Sequence, residues 1–146
     1  MAAGDYTGDV ECAWIMAQLS TLVGGRVWEV VVPDPTKLPR LPDGGVKPYI
    51  LTSFASPTAS RVGRNIASGE KGQPHILTFT VKVVGASPSD VNSTLAAAKD
   101  RIAGERPSDN SGVIRLRGGF TYPVADPTAT PGRIQKAFFG SVYINV

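Results

Sequence analysis

The chain has 146 residues, 42% of them apolar and 18% charged, with a formal net charge of +3. A length like this points to a single domain, 1–146, that buries roughly 70% of the surface its unfolded form exposes and folds without disulfide or metal staples. No apolar stretch approaches the roughly 20 residues that cross a bilayer, and the start, MAAGDYTGDVEC, lacks the cationic segment and apolar run of a signal peptide.

The first predicted element is a helix from Asp9 to Val23. Asp9 is placed as its N-cap, Cys12, Ile15, Met16, Leu19, Leu22 and Val23 form its apolar stripe, and Gly24-Gly25 ends it. RVWEVVV, Arg26 to Val32, reads as a strand from its β-branched and aromatic content, with Trp28 in the sheet core. Pro33, Pro35, Pro39 and Pro42 then predict an extended link with neither ladder nor helix, broken by a turn at Asp43-Gly44-Gly45. YILTSF, Tyr49 to Phe54, is the second strand.

Ala55 to Pro74, ASPTASRVGRNIASGEKGQP, is polar and basic and has almost nothing that fills a core. Loops of this length inside a compact domain are uncommon and tend to be binding segments. HILTFTVKVVG, His75 to Gly85, follows as the best-patterned strand, with His75, Leu77, Phe79, Val81 and Val83 on one face. Flanking strands this regular make the excursion the long tip of a β-hairpin.

A second helix begins at Ser87 as N-cap, with Pro88 at its first position and Asp90 three residues after the cap. Val91, Leu95, Ala98 and Ile102 are its buried stripe, and Gly104 and Pro107 stop it. Two or three strands close the chain: VIRLR (Val113–Arg117), FTYPV (Phe120–Val124) and the run Arg133–Val146. In that last run Ile134, Phe138, Val142 and Ile144 face one way, and Ala137, Phe139, Ser141 and Tyr143 the other. The expected architecture is α+β: a mainly antiparallel sheet of about five strands with both helices on one face.

The residues carry little catalytic chemistry. Cys12 is the only cysteine and His75 the only histidine, so one chain has neither a disulfide nor a three-ligand zinc site. A reducing, cytosolic origin follows. Cys12 lies on the predicted apolar stripe and reads as a small hydrophobe, and the Gly-Gly pairs match no phosphate-binding motif. An enzyme would have to rest on His75 or Cys12, so the chain reads as non-enzymatic, with no cofactor and no metal. Residues 1–32 carry a balance of −3 and the remainder +6, an asymmetry that steers partners but falls short of a dedicated nucleic-acid face. Trp14, off the main stripe, belongs either to a second core face or to an inter-subunit contact.

Three segments together carry a family resemblance: LVGGRVWEVVVPDPTKLPRLPDGGVKPYILTSF, HILTFTVKVVGASPSDVNSTLAAAKDRIAG and the closing AFFGSVYINV. In element order over most of its length the chain resembles the tail terminator proteins of long-tailed (siphovirus-type) bacteriophages, especially those of actinobacterial hosts. The resemblance implies a homo-oligomeric, hexameric ring at the tail–neck junction of a virion, assembled in the host bacterial cytoplasm. Such a ring caps the tube of major tail proteins, ends its growth and meets the head–tail connector, with DNA passing through its lumen and no membrane partner. It also implies that the long loop engages neighbours, which makes Arg61, Arg64 and Lys71 candidate contacts with a subunit or the tube; DNA is the other partner open to Arg61 and Arg64. A head-completion or connector subunit of the phage neck, or a small protein-binding domain, are the alternatives.

Overall fold

The computed structural model describes residues 7–59, 75–118, 124–126 and 132–144. Among the described residues two α-helices, α1 (Asp9–Ser20) and α2 (Pro88–Ile102), accompany seven strands: β1 (Val27–Glu29), β2 (Tyr49–Phe54), β3 (Thr58–Ala59), β4 (His75–Gly85), β5 (Arg115–Arg117), β6 (Val124–Asp126) and β7 (Arg133–Ile144). The sheet runs β1-β2-β4-β7-β5, with β3 added beside β4 and β6 beside β7. All pairings are antiparallel except β1 with β2, which is parallel. The fold is α+β, with both helices on one face of a mostly antiparallel sheet.

The spine of the sheet is the β4–β7 ladder, in register from His75 opposite Ile144 to Gly85 opposite Ile134. Alternation along β4 sends Leu77, Phe79, Val81 and Val83 under the helices, where they join Ile50, Phe138, Val142 and Ile144 in one buried cluster. The helices complete it with Ile15 and Leu19 from α1 and with Val91, Leu95, Ala98 and Ile102 from α2. Gly140 lies opposite Phe79, whose ring occupies the space a Cβ at Gly140 would take. The glycine lets the aromatic side chain lie flat across the next strand.

The start of α2 follows its sequence signal closely. Ser87 is the N-cap, its hydroxyl accepts from the Asp90 amide at 3.2 Å, and Pro88 occupies the first turn. The start of α1 differs from expectation. Gly8, not Asp9, holds the cap position at φ +73, and Asp9 is already helical. The reason is steric, because a Cβ at Gly8 would crowd Pro57 and Leu77 and the left-handed backbone favours glycine. The α1 helix also ends at Ser20 rather than Val23; the Gly25 amide bonds the Ser20 carbonyl at 2.9 Å in the turn that follows.

Three further expectations are corrected. The Arg26–Val32 strand stops at Glu29, because Val30 turns to φ +64 and the Val31 amide bonds the Glu29 carbonyl at 2.6 Å. The proline-rich link is not purely extended. Pro35–Lys37 forms a 3-10 turn whose cap, Asp34, accepts from the Thr36 amide at 3.1 Å, and Arg40 bridges Val46 around the Asp43–Gly45 turn. Proline at the first position of a short helix removes only an N–H that has no partner there. Trp28 leaves the main core: it packs edge-on against Tyr49, centroids 6.0 Å apart, in a second cluster with Val32, Leu38, Val46 and Val84. That cluster lies under the proline-rich link on the sheet face away from the helices.

Candidate functional site

Among the described residues the link covers only one end of that second face. Among β1, β2, β4, β5 and β7 the face carries Lys82, Arg115, Arg117 and Arg133 and no carboxylate, as the registers fix. Arg115 and Arg117 stand two apart on β5 and so point the same way. Both are exposed. Arg133 donates to the Tyr49 hydroxyl at 3.2 Å.

Two depressions join across this face. The first, about 370 Å³, is lined by Ser53, Thr78, Thr80, Arg117 and Phe139. The second, about 260 Å³, is lined by Val30, Leu51, Ser53, Thr80 and Lys82. Ser53 and Thr80 belong to both, so the two form one trough running from β7 across β4 and β2 to the end of β1. Its floor is short hydroxyl side chains, and its two ends are apolar. Phe139 is 43% exposed at one end and Val30 71% exposed at the other, beside Val31 at 63%. A β-branched residue at positive φ is a genuine backbone outlier, and here it holds an apolar side chain out in solvent.

On the opposite side of the molecule α1 has apolar residues on its outer as well as its inner side. Glu11, Ile15 and Leu19 face inward, while Val10, Ala13 and Ala17 lie exposed at helical spacing. Trp14 is half-buried and packs against the main core. Burial of Cys12 is joined by the charges of Glu29, Asp9 and Glu11 in disfavouring its thiolate, and Asp9 and Glu11 stand in the first turn of this helix. With burial as the largest cause, these effects push that thiol up to about 11. Glu11 is itself buried, with one oxygen accepting from the Ser108 hydroxyl at 2.9 Å and the other without a hydrogen-bond partner.

Arg61, Arg64 and Lys71 lie outside the described residues, so nothing brings them together with Trp14 here. His75 is buried at the start of β4, opposite Ile144. Among the described residues no three His, Cys, Asp or Glu side chains stand together as a metal site, and no described helix is long and apolar enough to cross a membrane. The trough was legible only in part. The alternation of the last strand puts Phe139 on the face away from the core, and RLR puts two arginines on one side. That these meet Lys82 and Val30 follows from strand order, which the sequence does not state.

No protein-family model matches the sequence, and no curated protein sequence matches it. Several solved chains share the fold. One of them is a chain of the "Virion of native gene transfer agent (GTA) particle", superposing with a TM-score of 0.51 at 20% identity over 95% of this chain and 98% of that one. At this identity the likeness is one of fold.

Proposed function

We propose that this chain is a non-enzymatic structural protein of a phage-type virion, a tail terminator that forms a ring on the tail tube. The ring ends tube polymerisation and joins the tail to the head connector. The observation that carries the reading is the nearly full-length fold match to a chain of a virion particle, and the element order that resembles tail terminators agrees with it. A sheet with one face left largely open by the described residues belongs with a subunit that is completed by neighbours. Partners are then further copies of the chain in a hexameric ring, the major tail tube protein and the head–tail connector, with DNA passing through the lumen. Arg61, Arg64 and Lys71 are the proposed loop contacts to a subunit or the tube, and Trp14 a proposed inter-subunit contact.

The test is tail length. Particles assembled without this protein are expected to carry abnormally long tails by electron microscopy, and tails of normal length overturn the terminator reading. Normal tails left unjoined to filled heads would identify a head-completion or connector subunit instead.

A further inference from the structure

We propose that the trough across the open sheet face is the docking site for the outer side of α1 from a second copy of the chain. The inference rests on the ring reading above and names the two surfaces that meet.

Charge complementarity decides the occupant. The trough is flanked by Lys82, Arg115 and Arg117, with no carboxylate on this face of β1, β2, β4, β5 or β7, and none of the three side chains makes an ion pair or hydrogen bond among the described residues. The α1 helix has no basic residue and exposes Asp9 in its first turn. Glu29, exposed at the end of β1, stands beside Thr52, whose hydroxyl meets the Met16 sulfur of α1, while Glu11 is turned inward and takes no part. Opposed fields of this kind set the polarity of an encounter and speed it. Apolar character agrees as well. Val10, exposed at 57%, together with Ala13 and Ala17 forms a low ridge, and Phe139 and Val30 stand as apolar walls at the two ends of the trough.

Size agrees too. From Val10 to Ala17 the ridge is about 10 Å long, at about 1.5 Å per residue. Four strands at about 4.8 Å spacing give a trough of about 15 Å. The hydroxyl floor of Ser53, Thr78 and Thr80 leaves room for alanine-sized side chains. The α1 helix and the trough lie on opposite layers of one molecule, so a copy cannot fill its own trough. Each contact is therefore head to tail, and repetition closes into a ring when the rotation between copies allows.

A charge swap tests this. The intact chain is expected to associate in sedimentation velocity at low ionic strength and to dissociate as salt rises. Arg115→Glu with Arg117→Glu, and separately Asp9→Lys with Glu29→Lys, each reduce association at least about tenfold. All four side chains are exposed, and unchanged circular dichroism confirms that the fold is kept. A one-to-one mixture of the two variants restores association, because each reversed trough then meets a reversed helix. Phe139→Ser weakens association without altering its salt dependence. Variants that associate like the parent, or a mixture that stays apart, overturn the docking. So does a parent chain that remains monomeric at every concentration, in which case tail length still decides the terminator reading separately. Arginine variants that keep self-association but lose retention on DNA would assign the trough to nucleic acid and overturn the proposal.

Discussion

Cys12 sits where burial, Glu29, Asp9 and Glu11 all disfavour its thiolate, and its pKa rises from 9.0 to about 11. The thiolate is the reactive form, so alkylation of the native chain by iodoacetamide at pH 8 should run about 100-fold slower than after unfolding. The sign for stability follows. The folded pKa lies above the unfolded one, so this group's contribution is fully present below about pH 9 and is lost as pH rises through about 11. Fast labelling at pH 8 would mean that the first turns of α1 open readily. At Val30 the strain is in the backbone. A non-glycine residue in the left-handed region costs of order 1–3 kcal/mol, against about 0.5–1 kcal/mol of extra chain entropy that glycine loses on folding. Val30→Gly should therefore stabilise the isolated chain by about 1 kcal/mol in urea unfolding. A loss of stability would show that the Val30 side chain packs in the monomer.

The elements best read from sequence are those fixed by local rules. The β2 and β4 strands lie between the predicted residues because alternation sets a strand without reference to its partner. The α2 helix keeps both its predicted cap and its predicted buried stripe because Ser87, Pro88 and Asp90 act within one turn. Ser87→Ala should cost about 1 kcal/mol, and an unchanged unfolding midpoint would show that the Asp90 amide finds another acceptor. Elements decided by distant contacts were not legible. Gly8 displaces Asp9 from the α1 cap because Pro57 and Leu77 press on it. Nothing in RVWEVVV announces that Val30 turns out of the strand. The parallel pairing of β1 with β2 depends on the path of the proline-rich link, whose 3-10 turn and Arg40–Val46 bridge come from Asp34 and the Asp43 turn rather than from its prolines alone. Gly140→Ala separates local from long-range effects: it should cost about 1–3 kcal/mol by overpacking the Phe79 ring, in a strand where alanine is locally acceptable.

At the scale of the whole molecule, the loop after β2 and the trough divide the assembly question between them. The polar excursion from Ala55 begins inside the sheet, because Thr58 and Ala59 pair with Ile76 and His75; residues 60–74 lie outside the described residues. Loop-closure entropy changes only with the logarithm of length. Replacing 60–74 with four residues should therefore shift folding stability by about 1 kcal/mol at most, since the β4–β7 ladder and both helices are untouched. If Arg61 and Arg64 reach a neighbouring subunit or the tube, the same replacement abolishes tail-end capping, and Arg61→Ala with Arg64→Ala alone weakens it. Chain-to-chain association through α1 and the trough survives both changes. Trough variants reverse the pattern, abolishing self-association while leaving the loop free to engage the tube. Urea unfolding, sedimentation and tail-length microscopy on the same set of variants separate the two surfaces. A shortened loop that folds, associates and caps normally would reduce residues 60–74 to a tolerated insertion and leave the trough as the surface that joins the chains.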